Sequence, residues 1–356
     1  MAFFGSSLVS AYWNGAATYY RGMLRALHER GFDVTFYEPD AYDRQRHRDI
    51  PDPEWARVVV YSIDGPRDVE RALASARDAD ILVKTSGVGA FDDLLDAQVL
   101  ALTASHATSI YWDVDAPATL DRLQSNPSDP LRSLIPQYDL VLTYGGGAPV
   151  VAGYAGLGAR TCVPIYNALD PETHFPVPRD HRFRADLGFL GNRLPDREQR
   201  VDTFFFDAAR RLPTWTFLLG GNGWDGTGLP GNVRYVGHVY TRDHNAFNCT
   251  PQAVLNISRE SMARYGFSPA TRVFEAAGAA ACLITDEWNG IEQFLEPNME
   301  VLVARDGEEV AAHMANLDPV VARTIGRAAQ RRVLAEHTYA IRARQLESVL
   351  GIRAAA

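Results

Sequence analysis

Short runs of β-branched and aromatic residues alternate with longer helix-patterned stretches along most of this chain, and that alternation constrains its fold more than any other feature. Phe3-Phe4 opens into a Gly/Ser loop, a helix pattern over 16–30 stops at Gly31, and Val34-Thr35-Phe36-Tyr37 reads as the next strand. The rhythm recurs at 58–61, 81–83, 109–112 and 140–143. Strands separated by helices pair in parallel, because a parallel neighbour needs a long crossover. Right-handed crossovers then collect the strand C-termini, and the loops that meet ligands, on one edge of the sheet. The pattern lapses in ALDPETHFPVPRDHRF, where Pro171, Pro176 and Pro178 stiffen a polar stretch without periodicity. It restarts at Leu187-Gly188-Phe189-Leu190 and continues through 215–219, 233–236, 253–257 and 282–284. The expectation is an α/β protein with two Rossmann-like α/β domains facing each other across a cleft. The first domain spans 1–170, a linker 171–184, the second domain 185–330, and a C-terminal helix and tail 331–356.

A chain of 356 residues is long enough for two such domains. Its net charge of -9 argues against a nucleic-acid surface, which needs a strongly basic face. Cys162, Cys249 and Cys282 are odd in number and widely spaced, which fits neither a disulfide framework nor a zinc pattern and points to the cytoplasm. The opening MAFFGSSLVSA reads as a buried strand rather than a signal peptide, and no apolar run has the length of a transmembrane helix. Of the 35 basic side chains only Lys84 is a lysine, so 34 are arginines. Lys84 sits where a strand gives way to a loop, which makes it a candidate for a catalytic role that a guanidinium cannot fill. The stretch 321–350 reads as one helix, and the seven arginines between Arg323 and Arg353 read as its solvated face.

The segment YGFSPATRVFEAAGAAACLITDEWNGIE, 265–292, carries the strongest functional signal. Ser268-Pro269 reads as a helix start, with a hydroxyl for the N-cap and proline at the first helical position. Thr271 and Arg272 then fall in the first turn, where free amides favour a phosphate. Glu275, one turn further in, is placed to accept hydrogen bonds from ribose hydroxyls. A nucleoside diphosphate fits this set; so does an ordinary amphipathic helix.

These residues, with the rest of 253–302 and the terminal AEHTYAIRARQLESVL, resemble the two-domain GT-B glycosyltransferases, in particular a CgeB-like, spore-maturation branch related to the large retaining group. GSSLVSAYWNGAATYYRGMLRALHERGFDVTFYEPD and YWDVDAPATL carry the resemblance in the first half. It implies a nucleoside-diphosphate sugar as donor (UDP-, GDP- or TDP-linked), bound in the interdomain cleft, and no further cofactor. Glu275 matches the second glutamate of the group's paired motif, the one that holds the donor ribose. Eight residues earlier, where the motif has a glutamate facing the sugar, this chain has Phe267. The group places a basic pair on the diphosphate, and Arg193 and Arg197, in the loop after the second domain's first strand, are the equivalents here. Asn289, Gly290 and Glu292 match the loop bordering the donor sugar, although Glu292 fits a helix cap equally well.

The remaining candidates lie in the first domain. Asn14-Gly15 precedes a helix, and Gly145-Gly146 follows a strand; both suit a backbone approached by a phosphate or acceptor, and both suit a turn. Asp113-Val114-Asp115 has the Asp-x-Asp form of a metal-binding diphosphate site, but its place in the first domain favours contact with an acceptor hydroxyl, with Asp115 ahead of Asp113. His238 and His244 flank a loop near the expected nucleotide base, and no histidine pair has metal-ligand spacing. The expected function is metal-independent sugar transfer from a nucleotide sugar to a small-molecule, glycan or protein acceptor. The alternatives are a GT-B-shaped epimerase or phosphorylase, and a non-catalytic nucleotide- or carbohydrate-binding protein.

Overall fold

The computed structural model describes residues 1–103, 107–226 and 228–352; Arg353 lies outside them. The chain divides into two compact units, 1–166 with 339–356, and 167–338.

The first unit holds a seven-stranded parallel sheet of β1 (Ala2–Phe4), β2 (Thr35–Pro39), β3 (Arg57–Tyr61), β4 (Ile81–Thr85), β5 (Thr108–Asp113), β6 (Leu140–Thr143) and β7 (Cys162–Pro164), in the order β3-β2-β1-β4-β5-β6-β7. The central strands are buried throughout, as expected when helices cover both faces. β7 has no sequence signal, and its closing Pro164 is tolerated because β7 is an edge strand. The second unit has a six-stranded sheet of β8 (Leu187–Leu190), β9 (Phe217–Gly220), β10 (Val233–Tyr235), β11 (Ala253–Asn256), β12 (Leu283–Asp286) and β13 (Leu302–Ala304), ordered β10-β9-β8-β11-β12-β13. Phe189, Phe205, Phe217, Leu255 and Ile284 sit in its core. In each sheet the strand order reverses beside the first strand, between β1 and β4 and between β8 and β11. A ligand crevice in a doubly wound sheet opens at that switch point, outside the strand C-termini.

Two stretches differ from the sequence reading. The proline-rich segment is strapped to its own unit: the amides of Phe175, Val177 and Asp180 donate to Asn245 Oδ1 (3.3 Å), Cys249 Sγ (3.4 Å) and Thr250 Oγ1 (3.0 Å), at and just after the helix Thr241–Cys249. The single C-terminal helix is two. Pro319–Glu336 packs on the helix Thr271–Gly278, with Gln330 Nε2 donating to Gly278 O at 3.0 Å. Tyr339–Leu350 belongs to the first unit and packs on the helix Ala17–His28. Gly22 permits that approach, since a Cβ there would occupy the Tyr339 ring. Arg342 is buried over Tyr166, while Arg323, Arg327, Arg331 and Arg344 are exposed as expected. Among the described residues no helix is long and apolar enough to cross a membrane.

Candidate active site

The first unit commits most of its candidates to structure. Lys84, at the end of β4, is 1% exposed and pairs with Asp92 (2.8 Å) and Asp96 (2.7 Å). Burial pulls its pKa down, but the two carboxylates outweigh that and raise it, so the ammonium is held charged inside the unit. A role at a reacting atom does not fit that enclosure. Asp113 is fully buried; Oδ1 accepts from Ser86 Oγ (2.6 Å) and the Asp115 amide (2.9 Å), and Oδ2 from Tyr154. It shapes the turn that presents Asp115, which is half-buried just ahead of the helix Ala116–Ser125. Asn14 is buried as a loop staple, its Nδ2 donating to Ser7 O (2.8 Å) and Ser10 O (3.0 Å) and its Oδ1 accepting from Ser6 Oγ (2.9 Å). Gly15 beside it has open space on its side-chain side. Gly145 O accepts from Thr143 Oγ1 at 3.0 Å, and Gly146 leads into the helix Gly147–Gly156.

In the second unit the loops after β8 and β11 flank the switch point, and both carry arginines. Arg197 packs over Phe189, donates to Asn192 O, and leaves a buried Nε with no hydrogen-bond partner among the described residues. Burial, then the nearby Arg259 and Arg272, pull its pKa down to about 10 against the opposing pull of Asp196 and Asp286. Arg259, which the sequence reading missed, follows β11 directly and is held by Asp196 (2.6 Å). Its position just beyond the apolar run of β11 was the available signal. Asp286, buried at the end of β12, accepts from the Ser258 amide (3.0 Å) and Arg200 (2.6 Å) and so fixes the turn that carries Arg259. Arg193 points elsewhere, to Glu198 at 2.6 Å on the surface. Gly191 makes room for Arg197: a Cβ there would lie 3.0 Å from Nη2. Gly191→Ala is therefore expected to cost about 1–3 kcal/mol through overpacking, seen as a lowered melting temperature.

The helix Thr271–Gly278 starts later than predicted. Ser268 does not cap it: its hydroxyl donates to Gly266 O at 2.9 Å, and the cap position falls to Ala270 with no side-chain bond. The residue before proline is disfavoured in helical conformation, and the chain takes two further residues to turn. Thr271 and Arg272 still occupy the first turn. Arg272 is half-buried, its Nε without a partner among the described residues, and desolvation lowers its pKa against the pull of Glu275. Phe267, at φ +48°, donates its amide to Asn289 O (2.6 Å) and lays its ring on Gly290, so the loop 289–292 borders this helix end; Asn289 and Glu292 are exposed there.

Glu275 departs from the ribose expectation. It is 5% exposed, and its carboxylate faces Arg272 Nη1 (3.4 Å), His174 Nε2 (3.9 Å) and His244 Nδ1 (3.9 Å). Burial, partly opposed by Glu275, drives the His244 pKa down to about 3, so that ring is neutral. The three residues present ligand atoms within 4.8 Å of one another, a group that the sequence concealed by drawing it from three separate elements. His238 stands apart from it, edge-on to Tyr240.

Residues 197–348 match the family described as glycosyl transferase-like. No curated protein matches the sequence. Among solved structures, HepE of Anabaena in complex with UDP and glucose is similar at 15% identity, over 98% of each chain, with a TM-score of 0.71. Sucrose-phosphate synthase from Thermosynechococcus elongatus is similar at 14% identity, over 98% of each chain, with a TM-score of 0.71. The T4 phage BGT in complex with its UDP-glucose substrate follows at 12% identity, over 98% of each chain, with a TM-score of 0.62. The chain has the GT-B glycosyltransferase fold of two parallel-sheet α/β units, and from 197 to 348 its sequence is glycosyl transferase-like.

Proposed function

We propose that this chain transfers a sugar from a nucleoside-diphosphate sugar to an acceptor hydroxyl. The observation that carries the reading is the pair of half-buried arginines, Arg197 and Arg272, each with a buried Nε that has no hydrogen-bond partner among the described residues, and with the Arg272 charge felt by Arg197 across the switch point of the second sheet. Breaking the bond from the anomeric carbon to the diphosphate leaves the electron pair on a phosphate oxygen. Fixed guanidiniums and the amides at Thr271 and Arg272 stabilise that charge without needing a cation. Arg259 adds to the local positive potential while Asp196 holds it in place. Asn289, Gly290 and Glu292 border the sugar in this reading, and Glu275 orients Arg272 from behind rather than holding the ribose. In the first unit, Asp115 is the acceptor-side residue and Asp113 its support. UDP is the favoured nucleotide, because HepE and the T4 enzyme were captured with UDP or UDP-glucose. The CgeB-like branch and a cytoplasmic setting rest on the sequence features alone.

Calorimetric titration with UDP, GDP, TDP and their sugars tests the donor. One of the diphosphates is expected to bind with unit stoichiometry and to raise the melting temperature, as any ligand of the folded state does. Absence of binding across the set would sink the reading. Product analysis with donor alone separates the alternatives: an epimeric nucleotide sugar would replace transfer by epimerisation.

A further inference from the structure

The geometry points to a divalent-cation site formed by His174, His244 and Glu275, behind the diphosphate arginines and independent of the donor. The three residues come from the proline-rich segment, the helix Thr241–Cys249 and the helix Thr271–Gly278, and they are 4%, 9% and 5% exposed. Their ligand atoms lie within 4.8 Å of one another.

The partners of the outer ring nitrogens decide what the inner ones offer. His244 Nε2 lies 3.3 Å from Val239 O, which only accepts, so Nε2 carries the proton and Nδ1 keeps its lone pair. His174 Nδ1 lies 2.9 Å from Thr173 Oγ1. That hydroxyl also lies 3.3 Å from Asp170 O; with its proton on that carbonyl it accepts from Nδ1–H, the tautomer that leaves the lone pair on Nε2. Two lone pairs thus point at a carboxylate, an arrangement that repels unless positive charge lies between. An outer nitrogen bonded to a carbonyl or hydroxyl, with the inner one turned toward an acidic oxygen, is how proteins orient metal-ligating imidazoles.

The distances agree with a shared cation better than with direct bonding. At 3.9 Å each, the two N···O separations are too long for hydrogen bonds. They are about half an ångström beyond the ligand–ligand spacing around a tetrahedral ion with bonds of about 2.0–2.2 Å, a gap closed by small side-chain rotations. Arg272 Nη1 is the cation already present, 3.4 Å from Glu275 Oε2. His174 faces Oε1 and His244 faces Oε2, so a rotation of the carboxylate brings one oxygen to the ion with the two imidazoles. Two nitrogens and one oxygen suit a borderline ion such as Zn²⁺ over Mg²⁺ or Ca²⁺. A bound ion would fasten the proline-rich segment to both helices and hold Glu275 against Arg272.

The test is a titration of tag-free, chelator-stripped full-length protein with ZnCl₂, alongside Co²⁺ absorption spectra. One Zn²⁺ per chain, a raised melting temperature and the intense visible bands of tetrahedral Co²⁺ are expected. His244→Gln and His174→Gln, which keep polarity and approximate size, are each expected to abolish stoichiometric binding and the Co²⁺ bands. Failure of wild-type protein to bind either ion, or binding that persists unchanged in both variants, overturns the site. UDP titration of the same samples is read separately: UDP bound without Zn²⁺ binding removes this site alone, and Zn²⁺ bound without UDP binding removes the donor reading alone.

Discussion

Arg197→Met is expected to lower the rate of sugar transfer about a hundred- to a thousandfold, the usual effect of removing one preorganised donor from a developing anion. Its Nε is buried and unpartnered, so an incoming phosphate oxygen gains a charge-assisted hydrogen bond without first breaking another at that atom. The neighbouring Arg259 and Arg272 make the charge on Arg197 harder to hold, and a bound diphosphate relieves that repulsion. Affinity for the free diphosphate should fall by roughly tenfold or more, since hydrogen bonds to charged groups contribute about 1.5–3 kcal/mol. Arg193→Met is the control. Its partner Glu198 lies on the surface, and exposed pairs contribute about 0–1 kcal/mol. Steady-state rates and UDP titration check both variants; equal losses at the two positions would dissolve the distinction drawn between them.

Lys84→Met should unfold the chain more easily by about 3–5 kcal/mol, the effect of stranding buried charge by removing its partner. For units of this size that corresponds to a fall in melting temperature on the order of 10 °C. Burial already raises the Asp96 pKa, with Lys84 opposing the rise. Without the lysine the folded-state value climbs further above the unfolded one. A group whose folded pKa is raised favours folding below its unfolded pKa and loses that contribution as pH rises. The deficit of the variant is therefore expected to be largest near neutral pH and to narrow toward pH 4. Thermal melts across that range are the measurement, and a deficit independent of pH would mean that packing, not charge, is what Lys84 supplies. A purely catalytic lysine would instead leave the melting temperature untouched.

Leu140-Val141-Leu142-Thr143 was legible because burial on both faces demands apolar residues, and Val58-Val59-Val60-Tyr61 was legible from its β-branched run, although it forms an edge strand with Val60 exposed. β7 and β13, three residues each at the sheet edges, carry too little apolar sequence to stand out. The helix carrying Thr271, Arg272 and Glu275 was legible as well, although its first turn was misplaced by two residues because Ser268 satisfies its hydroxyl locally. Periodicity says which face of that helix is buried but not what it meets. The histidines opposite Glu275 lie far from it in sequence, and only the folded backbone brings them together. Lys84 misled for a related reason: its carboxylate partners sit one helix further on, at Asp92 and Asp96, where spacing alone reads as a solvated turn.

The return of the last helix to the first unit decides where this chain can be cut. A fragment ending at Tyr166 would lack Tyr339–Leu350, uncovering Tyr19 and Gly22 and orphaning Arg30 from Glu347. Anyone preparing the halves separately would have to graft 339–350 back onto 1–166. The stretch 167–338, by contrast, is continuous in sequence and needs no such graft.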